Sequence, residues 1–180
     1  MKGLIFREFL EMVESEYGYE TVDTIIQNSE IPRDGVYTSV GTYPHAEMLA
    51  LLTELSKLTK LSKPRLLFLF GQYVFNVFLR SYPVFFENKT NSFEILSEVE
   101  DTIHVEVLKL YPEAELPAFD VQEQSEKEMK MVYQSQRKMA DFAEGLISGC
   151  AKHFNENITI ERECIESDGT VVLFRILKNE

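Results

Sequence analysis

The spacing of apolar residues changes once along this chain, and that change limits the folds open to it. Residues 4–17 place Leu4, Ile5, Phe9, Leu10, Met12 and Val13 on a helical pattern that ends near Gly18. A shorter helix is predicted over 20–28 from Val22, Ile25 and Ile26, followed by a Pro32-Arg33-Asp34-Gly35 turn. Pro44 can open a helix over 44–58, and Ser62 can cap a long apolar one that starts at Pro64 and ends before Pro83. Residues 92–110 carry Phe93, Leu96, Ile103, Val107 and Leu108 as one more helical set, and Pro112 and Pro117 bracket an extended segment. Then the period shortens. Met129, Met131 and Tyr133 alternate as in a strand, a helix follows through Met139, Phe142, Leu146 and Cys150, and two strands are predicted near 158–162 and 170–177 around Ser167-Asp168-Gly169. Helices first and an antiparallel sheet afterwards make the fold α+β. We expect a single domain over 1–180, with a helical lobe at 1–65 and a second lobe at 66–180 that packs helices on the sheet.

Composition narrows the function. The chain has 180 residues and a formal charge of −12, which excludes the clustered cations that nucleic acid or an anionic membrane surface would require. Thirteen Phe without a single Trp supply apolar surface that needs no polar partner, as suits an apolar cavity or an ordinary core. Two cysteines, Cys150 and Cys164, cannot form a disulfide framework, so a reducing, cytoplasmic setting is expected. The opening Met1-Lys2-Gly3 run reaches charges too soon for a secretory signal. Leu66 to Leu79 is too short and too interrupted by Gly71, Gln72 and Asn76 to span a bilayer.

Three histidines bound the metal chemistry. His45 follows Pro44 at a helix start and is expected to be exposed. His153, three residues after Cys150 and with Cys164 beyond, could begin a zinc site, but a fourth ligand is lacking and a small core cysteine beside a surface histidine is the plainer reading. His104 lies among Ile103, Val107 and Leu108, where a neutral imidazole could coordinate a transition metal. Taken alone, a histidine there is more often a satisfied core residue. Tyr133-Gln134-Ser135-Gln136-Arg137 changes that balance. On an extended chain Tyr133, Ser135 and Arg137 share a face, and two hydroxyls with a guanidinium fork can hold carboxylates. A plainer role would make Ser135 a helix cap and leave Arg137 solvated. Together with His104 and the surplus of Phe, the triplet describes a haem site: imidazole to iron, polar triplet to propionates.

At this point the sequence resembles the haem-nitric oxide/oxygen-binding (H-NOX) family, bacterial relatives of the soluble guanylate cyclase sensor domain. The resemblance rests on the Tyr133-x-Ser135-x-Arg137 triplet with His104 some thirty residues upstream. It extends to Met1-Lys2-Gly3, Phe70-Gly71-Gln72, Lys109-Leu110-Tyr111-Pro112, Leu116-Pro117, Lys138-Met139 and Gly145-Leu146. It implies haem b (iron protoporphyrin IX) held between the two lobes, with His104 as the iron ligand and Tyr133, Ser135 and Arg137 on the propionates. Pro117 would press on the porphyrin, and Ile5, Phe9, Val74, Phe78, Phe142 and Leu146 would form an apolar ceiling.

Family members that hold O₂ place a tyrosine where this chain has Phe142. The resemblance therefore implies a nitric oxide sensor, with CO as a further ligand, and not an enzyme. NO on ferrous haem would weaken the bond to His104 and shift its helix, changing the interaction with a partner in trans, a histidine kinase or a cyclic-di-GMP enzyme. A peroxidase would need a polar acid–base group above the haem, where the assigned positions are apolar. A haem-free interaction module, or a thiol redox sensor built on Cys150 and Cys164, would account for the chain without a cofactor.

Overall fold

The computed structural model describes residues 1–179. They divide into two compact units, 1–70 and 71–179, with the division falling inside one long helix. The first unit contains α1 (Gly3–Tyr17), α2 (Tyr19–Asn28), a 3-10 turn at Pro32–Gly35, α3 (His45–Thr59) and the start of α4 (Lys63–Ser81). The helical pattern of the sequence is realised with the apolar side inward: Phe6, Phe9, Met12 and Val13 of α1 are buried, as are Met48, Leu51, Leu52 and Leu55 of α3. Gly18, at φ 85°, ends α1 and lets the chain turn directly into α2. Ser62 behaves as expected, its hydroxyl accepting from Arg65 N at 3.3 Å. Pro44 stands just before α3 rather than within it, and His45 is half-buried instead of exposed.

The chain start is tied to the loop before α3. Gly3 N donates to Gly41 O at 2.9 Å, and a Cβ at Gly3 would fall 2.0 Å from the Thr38 carbonyl oxygen. Tyr37 stacks on Phe6 at 4.3 Å, and its hydroxyl donates to the buried Glu47 carboxylate at 2.9 Å. A carboxylate inside a core needs such a partner, because burial without one is costly.

The second unit is built on a four-stranded antiparallel sheet in the order β1-β2-β4-β3, formed by Ala118–Gln124, Glu128–Gln134, Val171–Lys178 and Ile158–Cys164 respectively. Alternation sets the faces. Met129, Met131 and Tyr133 of β2 and Val172, Phe174 and Ile176 of β4 are buried on one side. Against them pack Ala140, Ala143 and Ile147 of α7 (Ala140–His153), together with Phe93 and Leu96 of the short helix α5 (Ser92–Leu96). A smaller cluster joins Phe75, Ile95 and Cys150, with Leu79, Phe86, Ile103, Leu146 and Phe154 around it. Helices α4 and α7 touch closely at Gly71, where a Cβ would lie 2.2 Å from the Phe142 carbonyl oxygen. No helix among the described residues is long and apolar enough to cross a membrane.

Two further sequence expectations need correction. The predicted helix over 92–110 is broken into α5, a π-helical segment Val99–His104, and α6 (Val105–Leu110). The segment between Pro112 and Pro117 begins with a turn, and a strand that the sequence pattern does not announce, β1, starts just after it.

Candidate functional site

His104 ends the π-helical segment. There the Glu98 carbonyl accepts from both Thr102 N at 3.0 Å and Ile103 N at 3.1 Å, so four- and five-residue windings coexist at one oxygen. Such segments are rare, and where they occur they often serve function. The imidazole is 14% exposed, and its Nδ1 lies 3.2 Å from Glu100 Oε2. Burial pushes its pKa below the ordinary histidine value, the Glu100 charge and hydrogen bond opposing this only in part. The ring is thus neutral near pH 7. An ionised carboxylate can only accept, so the single imidazole proton belongs on Nδ1. Nε2 keeps its lone pair.

Glu100 Oε2 also accepts from Phe119 N at 3.0 Å, so one carboxylate joins the π segment to the start of β1. The Phe119 ring lies 5.8 Å from His104 and 5.5 Å from Tyr133, centroid to centroid. His104 and Tyr133 therefore flank one phenylalanine.

The triplet converges, though not along a strand as the alternation suggested. β2 stops at Gln134, and Ser135 to Arg137 form the turn that leads into α7. Ser135 N donates to Thr170 O at 2.9 Å and its hydroxyl accepts from Arg137 N at 3.2 Å, which pins the turn. Tyr133 is buried at the strand end, its hydroxyl accepting from Met139 N at 3.1 Å. Burial raises the pKa of this phenol, with the hydrogen bonds from Ser135 and Met139 and the Arg137 charge offsetting part of the rise. It remains a protonated donor. Arg137 donates to the Glu115 carbonyl at 2.6 Å and to its carboxylate at 2.7 Å, while the Glu115 side chain itself is 87% exposed. The guanidinium, 16% exposed, thus already grips one carboxylate, and Pro117 nearby in the chain is half-buried.

The other residues singled out from the sequence lie on helices. Val74 is buried on α4, and Phe78, half-buried on the same helix, faces Tyr82 at 6.3 Å. Phe142 and Leu146 are half-buried on α7, one turn apart, and Leu146 packs against the cluster around Phe75. In the first unit Phe9 is buried edge-on to Phe70 at 5.2 Å, and Ile5 is half-buried on α1. Cys150 is buried, its thiol pushed up to about 12 by desolvation first and by the Glu156 charge second, whereas Cys164 is exposed. No group of three metal-ligating side chains occurs among the described residues, and the His153 ring packs against Phe75, Phe86 and Phe154.

Sequence reasoning missed three participants: Glu100, Glu115 and Phe119. A glutamate four residues before a helical histidine was a visible signal for the first. Phe119 was hidden with β1, and Glu115, just before that strand, carries no spacing that points to Arg137.

A neutral imidazole, one phenylalanine away from a tyrosine–serine–arginine turn whose arginine grips a carboxylate, is donor chemistry suited to a metal-bearing cofactor with carboxylate groups. The haem-NO-binding family model matches residues 2–162, and the chain belongs to that family of haem-based gas sensors. Solved structures agree over the full length. The unliganded Fe(II) H-NOX protein from K. algicida is 46% identical, with a TM-score of 0.93 over 100% of this chain and 97% of that one. The H-NOX from Shewanella woodyi, bound to IWP-051 in the Fe(II)CO state, is 40% identical, with a TM-score of 0.84 over 99% and 95%. An H-NOX protein from S. oneidensis in the Fe(II)NO state is 26% identical, with a TM-score of 0.91 over 100% of both chains. No curated protein matches the chain.

The donor chemistry of this chain fits a haem. A neutral imidazole nitrogen suits haem iron, and His104 could offer one through Nε2, while propionates need donors such as the one already engaged by Glu115.

Proposed function

We propose that this chain senses nitric oxide through haem b ligated by His104, with Tyr133, Ser135 and Arg137 on the propionates and Pro117 against the ring. When bound, the haem supplies a ferrous iron able to take a diatomic gas. Ile5, Phe9, Val74, Phe78, Phe142 and Leu146 would form the apolar ceiling, with 1–65 acting as the distal lobe and 66–180 as the proximal one.

The observation that carries the choice of gas is Phe142, half-buried on α7 and without a hydroxyl. A buried donor to a charged acceptor contributes about 1.5–3 kcal/mol, roughly one to two powers of ten in affinity. Bound O₂ gathers partial negative charge and depends on such a donor, whereas NO and CO depend on it far less. The NO and CO states of the Shewanella relatives accord with this preference.

His104 would supply the one protein bond to the iron, and the doubly accepting Glu98 carbonyl makes its segment a suitable two-state element for a ligand to bias. The output would pass to a partner in the same cytoplasm, a histidine kinase or a cyclic-di-GMP enzyme.

One experiment tests the gas. The reduced, haem-loaded protein should shift its Soret band on adding NO and form no lasting oxygenated species in air. A long-lived oxygenated spectrum would refute the NO assignment. A colourless protein that refuses haemin would favour the haem-free module.

A further inference from the structure

We infer that Glu100 is a positioning residue for His104, fixing the ring tautomer and strengthening its bond to iron while tying the ligand to β1. The inference rests on the proposed ligation by His104 and adds a second residue to it.

Three observations support it. Glu100 Oε2 is 3.2 Å from His104 Nδ1, the nitrogen that faces away from a metal bound through Nε2. The same oxygen accepts from Phe119 N at 3.0 Å, which holds the carboxylate in place from a second element. The imidazole is largely buried, so water competes poorly for Nδ1.

The chemistry follows directly. A charged acceptor on Nδ1–H draws that proton outward and leaves more electron density on Nε2, making the ring a stronger donor to iron. A neutral amide does this less, and a methyl group not at all. Because one oxygen serves both donors, a ring that moves away from the iron must either release Glu100 or carry it along and loosen the Phe119 contact. The start of β1 is thereby coupled to the state of the ligand.

Glu100→Gln and Glu100→Ala test this in the haem-loaded protein by resonance Raman of the ferrous form. The iron–histidine stretch should fall in Gln and fall further in Ala, and haem loss to an acceptor globin should quicken by about 10-fold or more in Ala. A second readout needs no haem: ¹⁵N shifts of the cofactor-free protein should show His104 protonated on Nδ1 in the parent and lose that preference in Ala. Glu100→Gln keeps the size and both acceptor contacts, so a purely structural role for Glu100 would leave its stretch unchanged.

His104→Gly separates the two claims. If that variant loses haem unless imidazole is supplied while the Glu100 variants keep the parent stretch and haem-loss rate, the Glu100 inference is overturned and the ligand assignment stands. If His104→Gly keeps its haem content and Soret band, the ligand assignment itself fails.

Discussion

At the scale of single residues, the proposed function assigns cofactor retention and gas choice to different side chains. Removing the imidazole should abolish retention: His104→Gly should be isolated without a Soret band, and added imidazole should restore it. Gas choice should respond to a different residue. Phe142→Tyr should raise O₂ affinity by at most about 10–100-fold, the worth of one buried donor to a charged acceptor. Oxygen titration of the ferrous form measures this, and because Phe9 and Val74 offer no supporting polar group, the gain should sit at the low end. His104 and the triplet stood out in the sequence because few residue types can hold iron or propionates. Their neighbours were not. Glu100 and Glu115 are two among 30 acidic residues; the spacing to His104 hints at the first, and only the backbone path that brings Arg137 to it marks out the second.

At the scale of elements, periodicity revealed what is amphipathic and concealed what is irregular. Helices α1, α4 and α7 and strands β2 and β4 bury one side and show it in the sequence. Strand β1 is an edge strand, mostly exposed and with a register shift between Val121 and Glu123, so only Phe119 and Val121 carry its alternation. The π segment escaped notice because Phe93, Leu96, Ile103 and Val107 still fall on a helical spacing although one turn is widened. Phe174, fully buried on β4 beneath α7, should be costly to truncate: Phe174→Ala should lose about 3–5 kcal/mol in urea denaturation. Glu156 joins elements by charge. It accepts from Ser92 N at 3.1 Å and from the Ser92 hydroxyl, and pairs with Lys178 at 2.6 Å, closing α5 onto β4. Burial opposes its ionisation, but the hydrogen bonds from Lys178 and Ser92 prevail and hold its pKa below the ordinary glutamate value. A depressed folded-state pKa stabilises above the unfolded value and is lost as pH falls through the folded one. Glu156→Gln should therefore cost about 1–3 kcal/mol near pH 7, and the difference from the parent should shrink as acid protonates the folded carboxylate. Urea denaturation of both proteins across the acidic range measures it.

At the scale of the whole molecule, the net charge of −12 disfavours nucleic acid, and association with any partner that presents a basic face should slow as salt is raised. If His104 and the triplet hold a cofactor as proposed, that cofactor must also enter the stability of the chain. A ligand that binds the folded state alone adds RT ln(1 + [L]/Kd), about 2.7 kcal/mol at a hundredfold excess over Kd. Thermal unfolding of the haem-loaded protein should accordingly lie above that of the cofactor-free form, and the gap should widen with haemin concentration. In His104→Gly the gap should collapse and return with imidazole; in Arg137→Ala it should narrow, because the iron bond is kept while a propionate anchor is lost. A haem that colours the protein yet leaves its unfolding temperature unmoved would be sitting on the surface, and the sensing role built on His104 would have no energetic hold on the fold.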